Sequence, residues 1–484
     1  MLQGLQSAAD SLLSSATRLE REIQTETRYW EQVLAIDKKG WSVCKLPQEK
    51  HTLAVRFGFP EATGMFQDRG LAALRPSEDG KIILDQGITS AEPRSIRVRI
   101  VGLDQIVTGT STIPPLTDAD TIEHVIQRAR ASIYEEEIFH ELGREAQLLV
   151  NQGVQLDEST LTVILPDKKI LVDLIPLKTE PRRPATTGDD QLADGILLAF
   201  RILLSYVHRQ NLCARSQPPP PLTEKPRPLP PYHLLRPVLT HLHHEYSLST
   251  LRTLLTLLQG SLGGADLRLA HKFDVVKSAA VGSTSQSITD SIVEAFLECT
   301  ETTVDILLPG CLKVHIHIST HIRPPHFGTV FIVNSRSGND SASAPSDKAV
   351  FNSTAELELY IKHLVVLSLV TEVANYSSLP SPSVDRSTES GRKSYSDFEA
   401  LCGWKPAAQF DELERRDPSE KGGRVWRISF EVQTHGVAVK WTQQKFKASN
   451  GMADPPLELL YPYEPRKEGL PSLKDIVTTA ASSL

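Results

Sequence analysis

Four histidines lie close together in the segment HIHISTHIRPPH, which covers residues 315–326. His315 and His317 are two positions apart on a predicted strand, so their side chains project from the same face of that strand. His321 and His326 follow in the same segment. Three imidazoles can hold a zinc ion and leave a fourth coordination position open for water. The segment therefore raises the hypothesis of a metal-dependent hydrolase that uses His315, His317 and His321.

The composition of this segment argues against that hypothesis. Its strand positions are otherwise mostly apolar, and it contains no carboxylate that would act as a general base or orient an imidazole. The other histidine group, His241, His243 and His244, lies on a predicted helix, where solvated histidines are the ordinary outcome. We therefore predict no metal site and no catalytic residue, and we keep the hydrolase as the alternative function.

No motif for nucleotide or acyl-transfer chemistry accompanies the histidines. The glycine-rich segment GSLGG at residues 260–264 lacks the lysine of a phosphate-binding loop, and the sequence contains no G-x-S-x-G elbow. The glutamates at positions 135–137 are predicted to form a solvated face of a helix rather than an acid and base pair. We predict neither a cofactor nor a small-molecule substrate.

The composition also argues against nucleic-acid and membrane roles. The net charge of -7 and pI of about 6.1 do not favour the basic surface that a phosphate backbone requires. Five scattered cysteines, without a C-x-x-C pair, predict free thiols in a reducing compartment. The first residues lack the pattern of a secretory signal, and the apolar runs are interrupted and too short to span a bilayer. We predict an intracellular protein without direct nucleic-acid or membrane contact.

The elements around these motifs begin with a long N-terminal helix that is predicted to end at Gly40. Its apolar residues recur at alternating steps of three and four, which is the heptad pattern of a coiled-coil seam. Glu26 is the single polar break in this pattern. The seam predicts pairing with another helix, in the same chain or in a partner. The candidate partner-binding residues are Leu5, Leu12, Leu19, Ile23, Trp30 and Val33.

The remaining pattern predicts a mixed α+β multi-domain fold, in which small β-rich units alternate with helices and a C-terminal α/β region follows the coiled-coil-like helix. Between residues 232 and 376 the pattern indicates a helical pair, Tyr232–His243 and Ser249–Gln259, then two strands and a helix. The predicted segments are a helix of a partner-completed bundle at 1–39, a small β-rich unit at 40–113, a helix, hairpin and helix at 114–213, a polyproline linker at 214–231, helices with a hairpin at 232–376, a polar linker at 377–420, and a hairpin and tail at 421–484.

The polyproline linker contains the run QPPPPLTEKPRPLPP at residues 217–231. Proline fixes φ and removes a hydrogen-bond donor, so this run is predicted to be extended. Such a run can dock into the aromatic-lined groove of an SH3 or WW domain. It can equally act as a semi-rigid spacer. A stand-alone signalling adaptor is therefore a third functional hypothesis.

Several ordered segments together carry a family resemblance. RYWEQVLAIDKKGWSVCKLP, LAVRFGFPEA, FQDRGLAALRPSEDGKIILDQG, RSIRVRIV and ARASIYEEEIFHELGREAQLL resemble the central region of subunit 17 of the Mediator complex in its filamentous-fungal form. The run QPPPPLTEKPRPLPPYHLLRPVL is similar to fungal members of the same family. The resemblance extends from about Leu2 to Gln259 and is thinner beyond it. These segments are structural signatures rather than catalytic motifs.

The resemblance implies a scaffold rather than an enzyme. It implies a nuclear coactivator subunit of the Mediator head module, which bridges transcriptional regulators to RNA polymerase II and the pre-initiation machinery. Its helices would bundle with head subunits 11 and 22, with subunits 6 and 8 close by. Family members carry a further N-terminal region, so the resemblance also implies that this chain begins within the helical region and represents an N-terminally truncated form with an incomplete bundle.

Overall fold

The structure is a computed structural model of the 484-residue chain. The chain divides into two compact units, unit 1 at residues 1–238 and 285–296 and unit 2 at residues 239–284 and 297–484. The described residues are 2–47, 49–62, 64–87, 92–113, 121–177, 188–218, 232–276, 288–322, 327–336, 347–376, 403–407, 409, 411–416, 424–445, 457–463 and 470–482.

Unit 1 begins with the predicted long helix. This helix contains no proline, and the chain leaves it through Gly40, whose φ of +86° is accessible to glycine at little cost. The described part of unit 1 contains three further helices, together with most of a fourth. The helices are α1 (Leu2–Lys38), α2 (Gly64–Gln67), α3 (Ile122–Ala146), α4 (Gly188–Ser216) and α6 (Ile288–Leu297).

Two antiparallel sheets complete unit 1. The first is four-stranded in the order β1-β2-β3-β4, and the second is five-stranded in the order β6-β5-β9-β8-β7. The strands are β1 (Ser42–Lys45), β2 (Leu53–Arg56), β3 (Leu71–Pro76), β4 (Ile82–Asp85), β5 (Arg94–Gly102), β6 (Val107–Thr110), β7 (Val154–Leu156), β8 (Thr160–Ile164) and β9 (Lys168–Pro176).

Strand β5 shows how the sequence pattern specifies the second sheet. Its residues Ile96, Val98 and Ile100 alternate with arginines and are buried. On the other face, the Asp173 carboxylate of β9 lies 2.9 Å from the guanidinium of Arg97. Pairing of β5 with β9 joins strands from both sides of the boundary predicted between residues 113 and 114. That boundary is therefore wrong, because the two segments share one sheet.

Unit 2 contains two five-stranded antiparallel sheets, in the orders β10-β11-β12-β13-β14 and β15-β16-β17-β18-β19. The elements are α5 (Leu235–Gly264, in unit 2 from residue 239), β10 (Ala270–Val276), β11 (Thr300–Leu307), β12 (Lys313–His321), β13 (Gly328–Arg336), β14 (Asp347–Phe351), α7 (Thr354–Tyr376), β15 (Lys405–Pro406), β16 (Glu412–Arg416), β17 (Arg424–Gln433), β18 (Gly436–Lys445), β19 (Leu457–Pro462) and α8 (Leu473–Ser482).

Among the described residues of unit 2, one hydrophobic core joins both sheets with α5, α7 and α8. It includes Leu255 of α5, Ile316 of β12, Val365 of α7, Ile428 of β17 and Val477 of α8. The segments predicted separately at 232–376 and 421–484 therefore share a core from residue 248 onward, because α7 of the first segment packs against β17 of the second.

The mixed α+β class and the main elements are confirmed. The predicted helical pair is wrong, because α5 runs without a break from Leu235 to Gly264. Most of the polyproline linker, and the polar linker up to residue 402, lie outside the described residues. No helix in the described part of the chain is both long and apolar enough to cross a membrane.

Candidate partner-binding helix

The last third of α1 is fixed to unit 1 by its own side chains. Val33 and Ile36 are buried in a core cluster with residues of β2, β3 and α3. The Tyr29 hydroxyl donates a hydrogen bond to the carbonyl oxygen of Leu74 at 3.1 Å. The backbone N–H of Ile82 donates to Gln32 Oε1 at 2.8 Å. These contacts hold the C-terminal end of the helix on the first sheet.

The remainder of α1 extends away from these contacts. Every residue from 3 to 24 is exposed, which is a length of roughly 33 Å at about 1.5 Å per residue. A turn of the first sheet approaches the helix at Thr25, where a Cβ on Gly80 would lie 2.6 Å from the Thr25 carbonyl oxygen. Thr25 is therefore where contact with the first sheet begins.

The exposed part of α1 carries a stripe of large apolar side chains, which we call the α1 stripe. Five of the six residues predicted to bind a partner belong to it, and Leu34 joins them. The exposed fractions are 70% for Leu5, 73% for Leu12, 56% for Leu19, 56% for Ile23, 49% for Trp30 and 55% for Leu34. Exposed apolar residues in one continuous row mark an interaction surface more often than scattered ones.

The sixth predicted residue, Val33, does not belong to the exposed stripe, which corrects that prediction. Its side chain is only 6% exposed and packs inside its own unit. A straight α-helix turns about 100° per residue, so it drifts by roughly 20° per heptad from a strict seven-residue repeat. Val33 thus lies on the side that faces the first sheet, and Leu34 occupies the exposed row instead.

Trp30 is held in the stripe by its neighbours. Its indole N–H donates a hydrogen bond to Glu26 Oε2 at 3.1 Å, and its ring meets that of Tyr29 edge-on at 5.3 Å. The stripe around it forms an open groove of about 580 Å³. A large aromatic side chain with a satisfied polar atom is a typical anchor for a partner.

The histidines of β12 do not assemble into a metal site. His315 Nδ1 lies 2.6 Å from Asp305 Oδ1 at the surface, and His321 Nδ1 lies 3.5 Å from Cys299 Sγ. His317 is half-buried on the same strand, and His326 lies outside the described residues. In the part of the chain that is described, no three His, Cys, Asp or Glu side chains are placed to share a metal ion.

His244 of the second histidine group is buried rather than solvated. Its Nδ1 lies 2.8 Å from the Thr320 hydroxyl and its Nε2 lies 2.9 Å from the Thr302 hydroxyl. Burial is the main cause that lowers the pKa of His244, to about 4, and the charge of His241 adds to it. A neutral imidazole therefore connects α5 to β11 and β12.

Glu135 and Glu137 of α3 are also buried, so the solvated face predicted for residues 135–137 is wrong, although Glu136 is half-buried and pairs with Arg69 at 3.0 Å. Glu135 accepts hydrogen bonds from Ile96 N at 3.0 Å and Arg201 Nε at 2.8 Å, and Glu137 Oε1 lies 2.9 Å from His208 Nε2. The sequence held one signal for this. Glu137, Glu141 and Glu145 recur every four residues, and Ile138 and Leu142 follow Glu137 and Glu141 on the same helix.

These carboxylates stabilise the fold through hydrogen bonds and ion pairs. Glu145 accepts hydrogen bonds from three backbone N–H groups at the start of α5, and Glu141 pairs with Arg144 at 2.9 Å. Because each carboxylate already binds a cation, an imidazole or backbone amides, the cluster connects α3 to β5, α4 and α5.

Comparison with known proteins agrees with this picture. The family model for subunit 17 of the Mediator complex matches residues 1–262. The protein named Mediator of RNA polymerase II transcription subunit 17 from Emericella nidulans is 39% identical over 337 residues, which cover 68% of this chain and 53% of the relative. Its namesake from Neosartorya fischeri is 36% identical over 401 residues, covering 80% of this chain and 61% of the relative.

The fold also resembles a solved structure. A chain in the structure of the Schizosaccharomyces pombe Mediator head module matches with a TM-score of 0.51 and 18% identity, over 75% of this chain and 80% of that chain. The present chain spans 53% to 61% of the length of the two curated relatives. Since the family model covers more than half of the chain, the protein belongs to the family of subunit 17 of the Mediator complex.

Proposed function

We propose that this chain is a scaffold subunit of the Mediator head module, acting as a transcription coactivator in the nucleus. It works by bringing proteins together, without a catalytic step of its own. Membership of the subunit 17 family supports this proposal, as does the name of its curated relatives. The observation that carries it is the α1 stripe, which has the spacing of a helix-pairing surface and is exposed along the first two thirds of α1.

Exposure of the apolar side chains of the stripe to water is unfavourable in free energy. Most helical stability in proteins comes from packing an apolar face rather than from intrinsic propensity. The exposed part of α1 has no such packing along residues 3–24, all of which are exposed. A partner helix would supply it, through coiled-coil-like packing.

The family suggests which partners supply the helices. We propose that head subunits 11 and 22 contribute to the bundle around α1, with subunits 6 and 8 nearby, and that the assembled module contacts the RNA polymerase II machinery. The sheets of both units would then serve as rigid supports from which the helices extend. Within unit 1, buried polar links such as Glu145 to Leu234 and Leu235 stabilise this support.

Co-expression with the other head subunits tests this proposal. The variant Leu12→Asp, Leu19→Asp, Ile23→Asp places three charges in the stripe. We expect it to lose co-purification with the helical subunits, because each buried, unpaired carboxylate opposes association.

A matched control is available on the same helix. Ser7→Asp, Ser14→Asp, Arg21→Asp changes exposed positions on the opposite side of α1 and should leave co-purification unchanged. Circular dichroism of both variants shows whether each remains folded. If the stripe variant assembles as well as the control, the proposed function of the stripe is wrong.

A further inference from the structure

Carboxylates border the α1 stripe along its groove, between Leu19 and Leu34. The groove of about 580 Å³ has three glutamates and no basic residue in its lining. The lining consists of Leu19, Glu22, Ile23, Glu26, Thr27, Trp30, Glu31 and Leu34. This pattern differs from that of the helix as a whole, which also carries arginines.

The arginines lie on other sides of the helix. At about 100° per residue, Glu22 flanks the stripe on one side and Glu31 flanks it on the other, while Glu26 interrupts the row between Ile23 and Trp30. Arg21 and Arg28 fall on the far side, and the Arg28 guanidinium is directed toward the Asp79 carbonyl oxygen at 3.5 Å. Arg18 Nε lies 3.7 Å from Glu22 Oε1 and partly offsets that one charge. The lining of the groove is therefore acidic, mainly through Glu26 and Glu31.

Glu26 constrains the partner most strongly. It lies between Ile23 and Trp30 within the stripe, so a helix that covers these two residues also covers Glu26. Glu26 Oε2 accepts one hydrogen bond, from the Trp30 indole. Covering a carboxylate is costly unless a cation or further donors reach it. A Lys or Arg side chain opposite Glu26 meets this need.

A second copy of this chain does not supply a cation opposite Glu26. In a parallel, in-register pair of α1 helices, Glu26 would face Glu26 of the other copy, and like charges across a seam disfavour pairing. The geometry thus distinguishes between possible occupants, by charge as well as by apolar fit.

We propose that the occupant of the α1 stripe is an amphipathic partner helix whose apolar seam is flanked by Lys or Arg side chains, one of which pairs with Glu26. This inference rests on the proposed function, because it names the chemistry of the partner at the same surface. The polar residue inside the seam then also fixes the register of the two helices.

Two synthetic helical peptides test this inference on the full chain. They share a Leu and Ile seam of about four heptads and differ only in carrying Lys or Glu at the flanking positions. We expect the Lys peptide to bind roughly tenfold more tightly at low salt, because three exposed ion pairs each contribute a factor of about 1.4 to 5. That preference for the Lys peptide should decrease at about 1 M salt, where the Debye length is about 3 Å.

Charge variants of the chain complete the test. Glu22→Lys, Glu26→Lys, Glu31→Lys should reverse the preference, and the single Glu26→Gln should reduce it, whereas Asp10→Lys on another side of α1 should not change it. Equal binding of both peptides, or no binding of the Lys peptide, would overturn the inference.

An apolar variant separates a failure of the charge inference from a failure of the proposed function. If Leu19→Asp, Ile23→Asp abolishes assembly with head subunits while the charge variants assemble normally, the function stands and the charge inference fails. Sedimentation of the full chain adds one further outcome. A dimer that Ile23→Asp dissociates would replace the partner helix by a second copy.

Discussion

Glu145 should be one of the most sensitive positions in unit 1. Its carboxylate accepts hydrogen bonds from the backbone N–H groups of Leu234 at 2.9 Å, Leu235 at 2.6 Å and Arg236 at 3.2 Å. The Arg236 side chain adds an ion pair at 3.3 Å. Glu145 is 4% exposed, and Leu234 and Leu235 are almost fully buried. A residue of α3 therefore caps the first turn of α5.

The magnitude follows from what removal would leave behind. In Glu145→Ala, at least two buried N–H groups lose their acceptor, and each such group costs about 1–3 kcal/mol. The favourable interaction of the carboxylate with the helix dipole contributes about 0.5–1 kcal/mol more. We expect the free energy of unfolding to fall by about 4 kcal/mol. Glu145→Gln keeps one acceptor oxygen and should lose about half as much.

Urea denaturation at neutral pH, followed by circular dichroism, measures this loss. Glu158→Gln is the matched control, since Glu158 is exposed in the turn between β7 and β8. It should stay within about 0.5 kcal/mol of the unmodified chain. If Glu145→Ala behaves like this control, the cap does not stabilise the fold and the structural role given to the α3 carboxylates is wrong.

Three further predictions concern histidines and the polyproline run. His244 has a pKa of about 4 when folded, through burial first and His241 second, against about 6.5 when unfolded. Only the unfolded chain gains this proton between those values, so stability should fall by about 3 kcal/mol as pH drops from 6.5 to 4. Metal analysis of the purified chain should find no stoichiometric zinc that depends on His315 and His317. Deleting residues 217–231 should mostly spare the capture of head subunits.

Each of these three predictions can be contradicted by a specific result. For His244, the pH dependence of unfolding should flatten in His244→Gln and persist in His435→Gln, a variant of an exposed histidine; an unchanged slope in His244→Gln would contradict the assignment. Stoichiometric zinc lost in His315→Ala, His317→Ala would revive the hydrolase hypothesis. Loss of capture on deleting the proline run would favour the adaptor hypothesis.

Local patterns predicted much of this fold, because they depend on neighbouring residues. The alternation around Ile96 and the hairpin at Gly436 specified strands, and the heptad spacing from Leu5 to Trp30 specified the helix and its exposed row. The strict repeat misplaced Val33 because helical drift accumulates along five turns and more. A pattern with a period of 3.6 residues would have selected Leu34.

Long-range pairing was not predictable in the same way. Nothing in the local sequence showed that β5 pairs with β9 across the helix α3. The predicted helical pair left a gap around His244, yet α5 continues through it, and the imidazole is buried against the hydroxyls of Thr302 and Thr320, which lie far away in sequence. Glu135 and Glu137 were expected in solvent because their partners, Arg201 and His208, lie far away in sequence. Burial of charged groups depends on partners that a local pattern does not contain.

Hydrogen exchange of α1 tests the scaffold account most directly. In the chain alone, amides of residues 3–24 should exchange quickly, since this part of the helix is exposed on all sides, while those near Val33 and Ile36 should exchange slowly. After assembly with head subunits, amides of residues 3–24 should become protected by at least tenfold. Equal exchange of this segment in the free and assembled chain would contradict the claim that α1 is completed by a partner.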